Sequence, residues 1–165
     1  MPLEWLLLTS LPVSTFSQAK VIAQWYGIRW CIEVYFHVLK SGCQISELQL
    51  ETIERQLACL ALYMIIAWRI MFITMLARTC SSVDCEVIFD RMEWQAAYIV
   101  YHHESPPATP ISLGEMVTLV ACLGGYLNRK NDAPPGPKTI WRGLQRIRDY
   151  AVALDANKHL GERCV

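Results

Sequence analysis

The chain has 165 residues, 53% of them hydrophobic and 18% charged, with 15 basic and 15 acidic side chains that cancel to zero net charge. That length suits one domain or the tail of a larger protein. The zero balance excludes the broad electropositive footprint of a free-standing nucleic-acid-binding domain, so any contact with DNA would have to be local. Seven cysteines, at 31, 43, 59, 80, 85, 122 and 164, form no CxxC pair. They read as reduced thiols in a cytoplasmic protein rather than as a disulfide framework or a zinc site.

Glu4 to Thr9, EWLLLT, is a short apolar run closed by Ser10 and Pro12, and it reads as a buried strand from a sheet covered on both faces. One strand cannot satisfy its own backbone groups, so its partners are expected upstream or on another chain. The acid at position 4 and the lack of basic residues before it make the N-terminus a poor signal peptide. Ser14 or Ser17 is expected to cap a helix through Val21, Ile22 and Trp25, and Gly27 either breaks or only loosens it.

The next stretch, Trp25 to Lys40, reads WYGIRWCIEVYFHVLK. At about 100° per residue, Tyr26, Arg29, Glu33, His37 and Lys40 fall in a stripe roughly 80° wide. Ile28, Cys31, Ile32, Tyr35, Val38 and Leu39 gather opposite as an apolar back. A carboxylate between two cations suits a metal ion beside phosphates. On spacing alone, the same stripe also serves as the solvated face of an amphipathic helix.

The spacing Tyr26-x2-Arg29-x3-Glu33-x6-Lys40, with Trp30 after the arginine and Ile32 before the glutamate, resembles the YREK signature of bacterial insertion-sequence family four transposases. In that family the glutamate is the last acid of a DDE triad on a ribonuclease-H-like core. The resemblance implies phosphoryl transfer on transposon-end DNA with two divalent metals, usually magnesium. It makes Glu33 the catalytic and metal-binding acid, and it sets Tyr26, Arg29, Trp30 and Lys40 on the DNA. The family's two aspartates lie upstream of this glutamate, and no aspartate here precedes Asp84. The resemblance therefore implies a C-terminal portion of such an enzyme, inactive alone, or a module that pairs with full-length transposase and inhibits it.

Gly42 is expected to stop the helix, and 43–50 to be a connection. Glu51 to Arg78 is the longest expected helix, with an apolar span from Leu57 to Leu76 that is long enough for a membrane. Arg69 inside it and the lack of a second span favour a core or interface helix, with no membrane partner. Asp84 is expected to cap a helix to about Tyr101, ending in His102 and His103. Ser105 to Pro110 reads as a stiff linker. Ser112 with Glu115 forms a capping box for a helix over 116–123. Arg129 and Lys130 after the Gly124-Gly125 pair serve either a plain helix end or a turn against DNA phosphates.

After the rigid loop 131–137, a last helix from about Thr139 carries Trp141, Leu144, Ile147, Tyr150, Ala151 and Leu154 on one side and Arg142, Arg146 and Arg148 on or near the other. LGGYLNRK and PPGPKTIWRGLQRIRDY resemble the C-terminal ends of the same transposases, where a glycine pair lets elements approach closely. The resemblance implies that residues 138–157 pair two transposase molecules, as a homodimer or as a heterodimer with the full-length enzyme. The expected fold is mainly α. Residues 1–48 are a remnant of the ribonuclease-H-like core, one strand plus helices, and 49–165 form a helical dimerisation region.

Overall fold

A computed structural model describes Glu4 and residues 6–163, with side chains described as far as Ala156. The described residues form five α-helices: α1 (Phe16–His37), α2 (Ile53–Thr79), α3 (Arg91–His102), α4 (Leu113–Leu123) and α5 (Pro137–Arg163). The mainly helical architecture is as expected. The strand is not: residues 6–9 carry no ladder, and Leu6 and Leu8 are 91% and 95% exposed. The reason is the one that makes a lone strand untenable, since among the described residues no second backbone lies alongside to take its N–H and C=O groups. Trp5, also in the expected strand, lies outside the described residues.

Local chemistry sets most helix ends. Thr15, rather than Ser14 or Ser17, caps α1: its hydroxyl accepts from the Gln18 amide while the Gln18 carboxamide accepts from the Thr15 amide. α1 runs straight through Gly27, where an added Cβ would meet nothing. Thr52 caps α2, which then continues without glycine or proline for 27 residues. Asp84 caps only the 3₁₀ turn Cys85–Val87, and α3 begins later, behind Asp90, which forms a capping box with Glu93. The two acids compete for one helix start, and the backbone bond from Cys85 N–H to the Ile111 carbonyl (3.0 Å) holds Asp84 in the loop. Ser112 accepts from the Glu115 amide at α4, and Pro137 opens α5 at the position where a missing N–H is harmless.

The core sits between α2, α3, α4 and α5. Ala67, Ile70 and Ile73 of α2 meet Trp94 and Ala97 of α3, Met116 and Val120 of α4, and Ile140 and Ile147 of α5, all buried. The loop before α3 is pinned to the start of α4 by the antiparallel bridge Asp84–Ser112, with Leu113 N–H donating to the Val83 carbonyl at 2.7 Å. Trp94 donates its indole N–H to Glu86 Oε1 at 2.9 Å, which satisfies the one polar atom of the largest buried side chain.

α4 and α5 approach until their backbones nearly touch. A Cβ on Gly124 would stand 1.7 Å from the Thr139 carbonyl oxygen, and one on Gly143 would stand 1.8 Å from that of Val120. Close approach was legible for the Gly124-Gly125 pair. Only Gly124 provides it, because Gly125 instead takes a left-handed turn (φ 102°). Gly143, its counterpart across the helix pair, gave no such signal.

α2 is the described helix long and apolar enough to cross a membrane. Its Ala67, Ile70 and Ile73 are instead spent on the protein core, and Arg69 bridges to Glu93 at 3.9 Å.

Candidate nucleic-acid interface on the first helix

The candidate site lies on α1, a helix with no fully buried residue. Arg29 Nη1 stands 3.1 Å from Glu33 Oε1, one turn on, with both side chains about half exposed. The Arg29 guanidinium also lies 5.3 Å from the centre of the Tyr26 ring. One helical face thus carries a phenol, a guanidinium and a carboxylate in contact, as the spacing predicted. Each contact is weak: an exposed i,i+4 pair is worth about 0.3–0.5 kcal/mol, and an exposed cation–π contact about 0.5–1 kcal/mol. Three polar groups held in water by such small energies remain free to exchange partners for a ligand. Trp30 is exposed, on another side of the helix.

Lys40 does not continue this stripe as an α-helical neighbour. α1 ends at His37, and Val38–Gly42 is a π-helical turn closed by Cys43 N–H donating to the Val38 carbonyl at 2.9 Å. A wider turn rotates less per residue, so Lys40 lags behind the position that a uniform helix gives it. Its side chain is exposed. The reason for the turn is packing. Val38, Leu39 and Cys43 are buried in the helical core, and a Cβ on Gly42 would come within 3.1 Å of Pro137 at the start of α5. The C-terminal end of the signature is therefore built into the α2–α5 unit, while its centre stands in solvent.

The apolar back of the stripe is used only in part. Val38 and Leu39 are buried, and Cys31 and Tyr35 are half-buried, with Tyr35 O–H donating to the Met64 carbonyl of α2 at 3.0 Å. Ile28 and Ile32, expected in the core, are exposed.

Among the described residues, no three His, Cys, Asp or Glu side chains converge as metal ligands. A two-metal centre needs several carboxylates from different elements. This chain offers Glu33 alone on the candidate face, so its own residues do not fit such a centre unaided. Two further basic features lie elsewhere. Arg129 and Lys130 are exposed in a turn where the Arg129 N–H donates to Asp132 Oδ2 at 2.9 Å. Arg146 donates to the Leu123 carbonyl, so this arginine closes the C-terminus of α4.

Comparison with protein families fits this division of labour. Residues 5–69, which contain α1 and the first part of α2, match the transposase DDE domain, so the chain carries part of a metal-dependent DNA-rearranging enzyme. Residues 65–160, which contain most of the closed helical core, match the transposase Tn5 dimerisation domain. That match covers more than half of the sequence, and the chain belongs to the Tn5-type DDE transposases. The two matched ranges meet inside α2, at residues 65–69.

Proposed function

We propose that this chain supplies one acid and a phosphate grip to a transposase active site and the helical module through which two transposase molecules pair. Glu33 is the catalytic carboxylate, one of several oxygen ligands for a divalent ion, which we take to be magnesium. Tyr26, Arg29, Trp30 and Lys40 hold DNA near the reacting phosphate. The observation that carries this reading is the solvent-facing Tyr26–Arg29–Glu33 contact on the segment matched to the DDE domain. The guanidinium can leave Glu33 for a phosphate in a bidentate contact and so free the carboxylate for a cation. The division we propose near residue 48 separates the site-bearing unit from the helical region, and the π turn is the part of the first that packs into the second.

Binding of transposon-end duplex, followed by fluorescence anisotropy over a salt series, tests the grip. Arg29→Ala with Lys40→Ala should weaken binding and make the salt slope shallower by about 1 for each phosphate no longer neutralised. An unchanged affinity and slope would remove these residues from the DNA.

A second reading shares the same architecture: the chain pairs with full-length transposase and forms unproductive heterodimers. It is favoured by the fact that most of the buried core, from Ala67 to Ile147, lies within the dimerisation match, with Val38, Leu39 and Cys43 the members from outside it. Titration of the chain into a full-length transposase reaction should lower strand transfer in proportion to heterodimer formed.

A further inference from the structure

We infer that Gly42 and Pro137 are positioning residues for Lys40: the first residue of α5 holds the π turn in place, and the π turn decides where the lysine stands. That Lys40 meets DNA rests on the functional reading above, whereas the brace beneath it rests on geometry.

A regular helix would carry the chain on from Glu33 to Lys40 without interruption. The ring that interrupts it is closed by Cys43 N–H on the carbonyl of Val38, five residues back, at 2.9 Å. Closure over five residues brings Cys43 round over Val38, and both are buried. In an uninterrupted α-helix the two would stand about 140° apart, and one of them would leave the core. The turn thus holds one residue more than an α-helical turn, and the extra residue falls in the stretch that carries Lys40. Single π turns inside α-helices recur at functional sites. This one lies at the basic end of the Tyr26–Arg29–Glu33 stripe, and the lysine it displaces is exposed.

The turn is braced from outside its own helix. Gly42 is buried, and among the described residues it is Gly125 that has the glycine-only positive φ. Glycine at 42 therefore serves close approach: a Cβ there would stand 3.1 Å from Pro137 Cβ and 3.6 Å from Val38 Cγ1. Pro137 has little room to retreat. The Thr139 hydroxyl donates to the Gly136 carbonyl at 2.8 Å, the Ile140 N–H donates to the same carbonyl at 3.2 Å, and the Tyr126 hydroxyl donates to the Ala133 carbonyl of the preceding loop at 3.1 Å. Ile140 is fully buried, and the Thr139 carbonyl abuts Gly124 of α4. Lys40 takes its place from the α4–α5 pair rather than from the helix that carries the rest of the stripe.

Binding of the full chain to a short DNA duplex is followed by fluorescence anisotropy between about 50 and 200 mM salt. Lys40→Ala should make the salt slope shallower by about 1, so that the parent's advantage shrinks about fourfold across that range. Gly42→Ala should do the same while Lys40 is present and nothing further once it is gone. Adding Pro137→Gly, which takes out the carbon that the new alanine meets, should restore the parent slope. Deletion of Ser41 makes Cys43 the fourth residue after Val38, which keeps both in the core on a plain α-helix. It should lose the same slope and leave amide exchange in α3–α5 unchanged. Parent slopes for Gly42→Ala and for the deletion, or losses that add to that of Lys40→Ala, overturn the positioning and leave Lys40 on the DNA. If Lys40→Ala itself keeps the parent slope, the functional reading of Lys40 fails. The positioning is then decided by the NMR signal of isotope-labelled, dimethylated Lys40. That signal should shift in Gly42→Ala and in the deletion while that of Lys20 does not, and an unmoved Lys40 signal overturns the proposal.

Discussion

Replacement of Gly124 by alanine asks whether the α4–α5 contact is as close as it looks. A Cβ there would sit 1.7 Å from the Thr139 carbonyl oxygen, 2.7 Å from its carbon and 2.9 Å from the Gly143 nitrogen. The obstacles are all backbone, so no side chain can rotate away. α5 must withdraw by more than an ångström or tilt. Overpacking of a core commonly costs about 1–3 kcal/mol when side chains can adjust. Here withdrawal also loosens Ile140, Ile147 and Val120, all essentially buried, each worth about 1.5–3 kcal/mol when fully covered. Even partial loosening takes the expected loss to about 3–5 kcal/mol, a large share of the roughly 5–15 kcal/mol that keeps a domain folded. For a chain of this size that lowers Tm by about 6–20 °C. Urea and thermal unfolding followed by circular dichroism at 222 nm give the measurement. Two neighbours calibrate it. Gly125→Ala meets no atoms but keeps a φ of 102°, and should cost about 1–2 kcal/mol. Gly27→Ala lies in open mid-helix and should stabilise α1 by about 0.5–1 kcal/mol. If Gly124→Ala costs no more than Gly125→Ala, the backbone contact is not there and the packing argument fails.

Two further predictions concern the loop before α3. Burial, reinforced by the charges of Asp84 and Glu86, pushes the Cys85 thiol up from 9.0 to about 11. A thiol whose pKa is raised by folding contributes full stability below pH 9 and loses it as pH climbs toward 11. Roughly 1 kcal/mol should be gone by pH 10. Denaturation midpoints measured from pH 7 to 10.5 should fall less steeply for Cys85→Ala than for the parent, and parallel curves would contradict this. The Trp94–Glu86 hydrogen bond should show as coupling: Glu86→Ala leaves a buried indole N–H unpaired and should cost about 1–3 kcal/mol, yet much less in a Trp94→Phe background. Strict additivity in that double-mutant cycle would mean the bond contributes nothing.

Part of the site was legible because it is local. Tyr26, Arg29 and Glu33 meet because residues three and four apart share a helix face, whatever else the chain does. Lys40 escaped that logic. The π turn that sets it back is imposed by Val38, Leu39 and Cys43 entering a core made of residues far along the sequence, and by the fit of Gly42 to Pro137. The choice of Asp90 over Asp84 as the cap of α3 has the same origin, since a hydrogen bond to Ile111 decided it.

The amino-acid order by itself determined a helical chain, with its long apolar second helix, its proline-bounded loops and a polar stripe on the first helix. These follow from capping, from helix period and from the backbone limits of proline, all of which act within a few residues. Tertiary structure alone decided which apolar faces are covered. α2 is apolar nearly all round, but only the side bearing Ala67, Ile70 and Ile73 finds α3, α4 and α5. Residues 6–9 of the first apolar run, a strand by its pattern, pair with no other strand among the described residues, because a strand is completed by another backbone and never by its own side chains.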